Sequence, residues 1–253
     1  MEQSTRLRMQ NRTGMQMSPV HAKELLETVT GSNDVAVPPI TGSAELMQVH
    51  RSYITEADPI GTMPPPGTAK GMLKSAVKMA TGERPQVFID KLAERAAYER
   101  GGVRLYEGLL AKFYAEMDAQ RNSGAPQGMT EARLTQIRDE EAAHFALVSE
   151  CIETLGADPT AQTPSADLVG VETLGLVQAI SDPRTSLGQS LHVLLSAELI
   201  DNAAWEILIE MAQSVGQDDM AQRFRQALQA EQEHLRDVRS WYTALAIGET
   251  SLV

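Results

Sequence analysis

Arg138-Asp139-Glu140-Glu141-Ala142-Ala143-His144-Phe145-Ala146-Leu147 is the stretch whose reading decides the fold. Leu134, Ile137, Glu141, His144, Phe145 and Val148 recur at steps of three and four, so they share one helix face. That face is apolar, which points Glu141 and His144 towards the side a helix buries. Burying a carboxylate costs several kcal/mol unless it is paired, hydrogen-bonded or bound to a metal. A Glu and a His one turn apart on an apolar face form half of a metal site.

Working outward, Thr130 is a suitable N-cap for this helix and Gly156 a suitable C-cap. Upstream, Asn122-Ser123-Gly124-Ala125-Pro126 is a breaker cluster. Before it, Ile89, Leu92, Ala96, Val103, Tyr106, Leu110, Phe113 and Met117 stripe a helix from Pro85 to about Gln120. Downstream, Asp158-Pro159, Thr163-Pro164 and Asp182-Pro183 mark a long connection with room for a short helix over 166–180. A helix from about Thr185 to Ser214, a turn at Gly216-Gln217-Asp218 and a last helix to about Ala246 follow. The two outer links are short and the middle one is long. Short links make antiparallel neighbours, and a long one lets the second and third helices run parallel.

Residues 83–250 thus read as an all-α domain with four long helices, and residues 1–82 as an irregular N-terminal extension. Val37-Pro38-Pro39, Asp58-Pro59 and Pro64-Pro65-Pro66-Gly67 break up the extension, leaving short helices over 22–29 and 70–79. Arg6, Arg8 and Arg12 precede no apolar signal core, so the first residues read as a solvated tail.

Composition agrees with a helical protein. Apolar residues make up 42% and aromatics only 4%, which disfavours a β-sandwich. A net charge of −12 argues against nucleic acid and anionic membranes as partners. No apolar run of about 18 residues is present to span a membrane. The single Cys151 permits neither a disulfide nor a thiolate metal site within one chain, and a cytoplasmic setting is expected.

The last helix repeats the opening motif. Glu231 and His234 lie on the face of Phe224, Leu228, Leu235 and Val238. Glu198 stands in an apolar row with Leu191, Leu194, Leu195 and Trp205. On the first helix Glu107 and Glu99 compete. Glu107 lies 34 residues before Glu141, close to the 33 that separate Glu198 from Glu231. Glu99, nearer the centre of the stripe, lies 42 before Glu141, which at 1.5 Å per residue puts it roughly 12 Å too far along. Glu107 is therefore preferred.

One Glu from each of two helices and Glu-x-x-His from each of the other two form the dimetal carboxylate pattern. Glu107, Glu141-x-x-His144, Glu198 and Glu231-x-x-His234 resemble the bacterioferritin and rubrerythrin members of the ferritin-like superfamily over about residues 85–247. The resemblance implies a ferritin-like four-helix bundle with a long crossover. It also implies a site for two metal ions, iron first and manganese as the alternative. Tyr114, seven residues after Glu107, takes the place of a bacterioferritin tyrosine and is the expected catalytic side chain. In this superfamily an acid before one motif's Glu often holds the His of the other motif. Glu140 is placed to hold His234, whereas Ala230 leaves His144 without the equivalent. Asp201, one turn after Glu198, is an extra carboxylate, as in rubrerythrins. Four Glu carboxylates balance two divalent ions in charge, and the donor set suits iron or manganese.

The implied activity is oxidation of Fe(II), or reduction of peroxide or oxygen, with any reductant coming from a separate protein. Manganese catalase-like chemistry and a non-enzymatic metal-holding scaffold are the alternatives. A homodimer is expected. His21, His50, His192, Tyr106, Trp205, Trp241 and Cys151 read as structural, and Asp237 as exposed or paired locally with Arg236 or Arg239.

Overall fold

The computed structural model describes residues 43–56, 85–118 and 125–250, and among these every regular element is a helix. They are α1 (Ser43–Glu56), α2 (Pro85–Asp118), α3 (Glu131–Thr154), α4 (Pro164–Ser181), α5 (Leu187–Ser214) and α6 (Asp218–Thr250). The chain divides into two compact units, Met1–Asp58 and Pro59–Val253. The first contains α1, which the reading of an irregular extension overlooks. Ser43 to Glu56 contains neither Pro nor Gly and opens with good helix formers, which is the missed signal. The helices expected over 22–29 and 70–79 lie outside the described residues.

The start and stop chemistry of the second unit works as the residues suggest. Thr130 caps α3 by accepting from the Arg133 N–H, and Gly156 adopts φ 85° just past its end. Thr163 and Pro164 open α4, the short helix expected in the long connection. Ser186 and Gln189 form a capping box on α5, and Gly216 turns the chain into α6 with φ 70°.

Within this unit α2 packs on α3, α4 and α5, α5 packs on α4 and α6, and α3 meets α6. Two apolar clusters result. One contains Leu105, Tyr106, Phe113, Leu134, Ile137, Leu191, Leu194, Val238 and Trp241. The other contains Phe88, Leu92, Ala96, Val148, Ile152, Trp205, Leu208, Phe224 and Ala227. α2 and α6 run from the second cluster to the first, and α3 and α5 run from the first to the second. On each of these four helices a buried polar residue interrupts the apolar stripe at the passage between clusters. No described helix is long and apolar enough to cross a membrane.

Candidate metal centre

The polar layer consists of Glu99 on α2, Glu141 and His144 on α3, Glu198 and Asp201 on α5, and Glu231 and His234 on α6, all buried. Glu99, Glu231 and His234 have 0% exposure. Three groups of donors lie within ligand-sharing distance. Glu141, Glu198, Glu231 and His234 form one; Glu99, His144 and Glu231 form the second; Glu99, Glu141, Asp201 and Glu231 form the third. Glu231 belongs to all three.

Each histidine turns Nδ1 towards the carboxylates. His144 Nδ1 is 2.6 Å from Glu231 Oε1 and 3.7 Å from Glu99 Oε2. His234 Nδ1 is 3.0 Å from Glu231 Oε2 and 3.4 Å from Glu141 Oε1. Its Nε2 lies 2.7 Å from Glu140 Oε2, so Glu140 holds His234. His144 instead sets its ring edge-on to Trp205, with centroids 5.6 Å apart. Position 230, which would match Glu140, is Ala.

Two expected residues lie elsewhere. Glu107 is exposed on α2, and Glu99 occupies the place expected of it. The reason lies in the arms. Glu99 stands 19 residues before the end of α2 and Glu141 ten after the start of α3, whereas Glu198 and Glu231 stand 16 and 13 from the facing ends of α5 and α6. Matching total spacings takes the two arms of each hairpin as nearly equal and so selects Glu107. Tyr114 is likewise on the surface, 44% exposed and hydrogen-bonded to Glu131, which raises its pKa. The tyrosine at the site is Tyr106, seven residues after Glu99, whose hydroxyl donates to Glu198 Oε1. Asp237 pairs with Arg133 across helices at 2.8 Å, not with its neighbours on α6.

The residue that sequence reasoning missed entirely is Arg95. It is buried, with Nη2 2.6 Å from Asp201 Oδ1, Nε 2.8 Å from Glu99 Oε1, and its guanidinium 4.4 Å over the Tyr98 ring. The signal was available: Arg95 lies one turn before Glu99, on the buried face. Asp201 thus has a cationic partner. The four Glu carboxylates share two histidines, and Glu99 Oε2, Glu141 Oε2 and Glu198 Oε2 make no hydrogen bond among the described residues, while Glu231 Oε1 and Glu99 Oε1 face His144 and Arg95. Buried oxygens without hydrogens to accept suit cations, and this donor set fits two divalent ions.

Gly102 makes room for the cluster. A Cβ there would sit 2.0 Å from Glu141 Oε2 and 2.7 Å from its Cδ. At the adjacent Gly101 a Cβ would meet only the Thr173 side chain, no closer than an ordinary 3.6 Å. Gly102→Ala is therefore expected to push the Glu141 carboxylate out of place and lower bound metal at least about tenfold, on the scale of a displaced ligand contact. Gly101→Ala should keep full metal content and raise stability by about 0.5–1 kcal/mol, the helix preference of Ala over Gly. Metal analysis and denaturation of the two variants check both.

Without metal the cluster stores protons. Burial, then Glu231 and Glu99, pushes Glu141 well up, and burial, then Glu231, lifts Glu198 to about 8. Burial opposes charge on His144 and His234, but their contacts with Glu231 outweigh it and carry them up to about 10 and about 9. Glu231 is held low against its own burial by hydrogen bonds from both histidines. Groups with raised folded pKa values contribute stability below their unfolded pKa and lose it as pH rises through the folded one. Metal-free protein should therefore lose thermal stability from about pH 5 to about pH 9–10, as Glu141 and Glu198 ionise and the histidines discharge. Glu231, lowered, loses its contribution only on acidification below about 4.5. Metal-loaded protein should show a flatter profile, since bound cations replace the protons. Melting temperatures of both forms across that range are the check.

No family model matches the chain, and neither does any curated protein or solved structure.

Proposed function

We propose that this protein is a ferritin-like dimetal-carboxylate oxidoreductase. Its second unit is read as a four-helix bundle of α2, α3, α5 and α6, with α4 in the long crossover between α3 and α5. The opposed directions of α2 and α3, and of α5 and α6, support that topology. The observation that carries the function is the sharing of Glu231, and of Glu141, among donor groups that each add a further buried Glu or His. Glu99 and His144 would hold one ion, Glu198 and His234 the other, and Glu141 and Glu231 both.

Two redox-active ions in such a site would supply electrons for reducing oxygen or peroxide. The chain's own residues prepare the place. Four carboxylates balance two divalent charges, while Arg95 neutralises Asp201 outside that balance. Tyr106 fixes Glu198 by donating its buried hydroxyl to Glu198 Oε1. Leu92, Ile137, Leu194 and Phe224, in the two apolar clusters that flank the layer, keep bulk water out.

Loading the full chain with Fe(II) without oxygen, then adding oxygen or peroxide, tests the reading. Uptake of about two ions per chain and rapid loss of Fe(II) are expected. Binding without turnover would leave a metal-holding scaffold. Rapid oxygen release from peroxide by the Mn(II) form alone would make dismutation by manganese the activity instead.

A further inference from the structure

The two halves of the cluster are chemically unequal. The half around His234 gathers four donors, Glu141, Glu198, Glu231 and His234. Its supports are complete: Glu140 fixes the His234 ring at 2.7 Å and Tyr106 donates to Glu198. Asn202 Nδ2 donates to the backbone carbonyls of Glu198 and Glu231, at 2.9 Å and 3.1 Å, and so ties α5 to α6. The half around His144 gathers Glu99, His144 and Glu231, and Glu99 also meets Glu141, Asp201 and Glu231 in the third group. Ala230 stands where an acid would orient its histidine, and His144 is slightly exposed where His234 is not. Arg95 Nε, 2.8 Å from Glu99 Oε1, also occupies one of that carboxylate's two oxygens with a permanent cation.

We infer that the two positions load in sequence: a tightly held ion at Glu198 and His234, and a weak, exchangeable ion at Glu99 and His144. This rests on the dimetal reading above. The cause of the weakness lies in two features of this chain. A guanidinium competes for Glu99, and a histidine lacks its orienting acid. Losing the outer hydrogen bond of a metal ligand costs about 10- to 100-fold in affinity. The two dissociation constants are therefore expected to differ by at least that factor.

The test is a titration of metal-free, full-length protein with Mn(II), reading the free ion by its electron paramagnetic resonance. The wild type should bind one ion per chain tightly and a second about 10- to 100-fold more weakly. Glu140→Ala should weaken the first step by about 10- to 100-fold and leave the second unchanged. Ala230→Glu, which installs the missing acid, should tighten the second step by about tenfold or more. Melting curves of each variant establish that it is folded, and Ala230→Glu gives a gain that misfolding cannot mimic. Two equal steps in the wild type would overturn unequal loading while leaving the dimetal reading intact. So would a Glu140→Ala variant that loses only the weaker step. No Mn(II) binding at all would overturn both.

Discussion

Replacing Glu231 with Ala should give a folded helical protein that binds neither ion. No other residue belongs to all three donor groups, and its two oxygens face the two histidines separately, Oε1 towards His144 and Oε2 towards His234. A change to one terminal donor would strip one position; removal of Glu231 strips both. The loss should be at least on the order of 100-fold in affinity for each ion, the upper end of what an outer support alone is worth. Metal content should fall from about two per chain to near zero, a stoichiometry set by a four-carboxylate, two-histidine site. Glu233→Ala, two residues away on the exposed face, is the matched control and should retain both ions. A Glu231→Ala protein with wild-type metal content would remove the site as described. With Glu231 gone, His144 and His234 also lose the main contacts that hold their protons. The fall in metal-free stability should then shift to lower pH, giving a second signature in the same samples.

The second large effect concerns folding. Arg95→Leu should destabilise the metal-free protein by about 3–5 kcal/mol, the cost of leaving a buried partner uncompensated. Asp201 and Glu99 both lose their cation, and the guanidinium's place beside Tyr98 and Trp205 is vacated. Removing Asp201 as well should recover part of that loss. Arg95→Leu combined with Asp201→Leu should show a coupling energy of about 1–3 kcal/mol in denaturant titrations. If Arg95→Leu costs less than about 1 kcal/mol, the pair is not the counterweight described, because exposed pairs alone reach that size.

Most of the helices were legible because local chemistry and apolar period agree. Thr130, Thr163-Pro164, Gly156 and Gly216 mark ends where the chain does begin or end a helix. The two Glu-x-x-His motifs and Glu198 were legible for a different reason: an ionisable group within an apolar stripe demands a partner. The donor on α2 was not, because two acids share that helix and the choice depended on how unequal the two arms of the hairpin are, which periodicity does not reveal. Once Glu99 is seated, Tyr106 replaces Tyr114 automatically, since the seven-residue step keeps both on one face. Gly102 was beyond sequence reasoning. Its role is an empty volume filled by a side chain from another helix, and only the packed structure makes that visible.

The unequal arms of the first hairpin, 19 residues against ten, have a bearing on how such a chain can vary. Each helix sets the height of its own donor, and the links only join the helices. Lengthening a link costs only the slowly growing entropy of closing a longer loop, so the 215–217 turn can gain residues while the donors stay level. A single residue added within α3 between Glu131 and Glu141 would instead rotate Glu141 and His144 by about 100° and slide them by about 1.5 Å. Tolerance to insertion is therefore concentrated in the joints, and the helical arms themselves admit none.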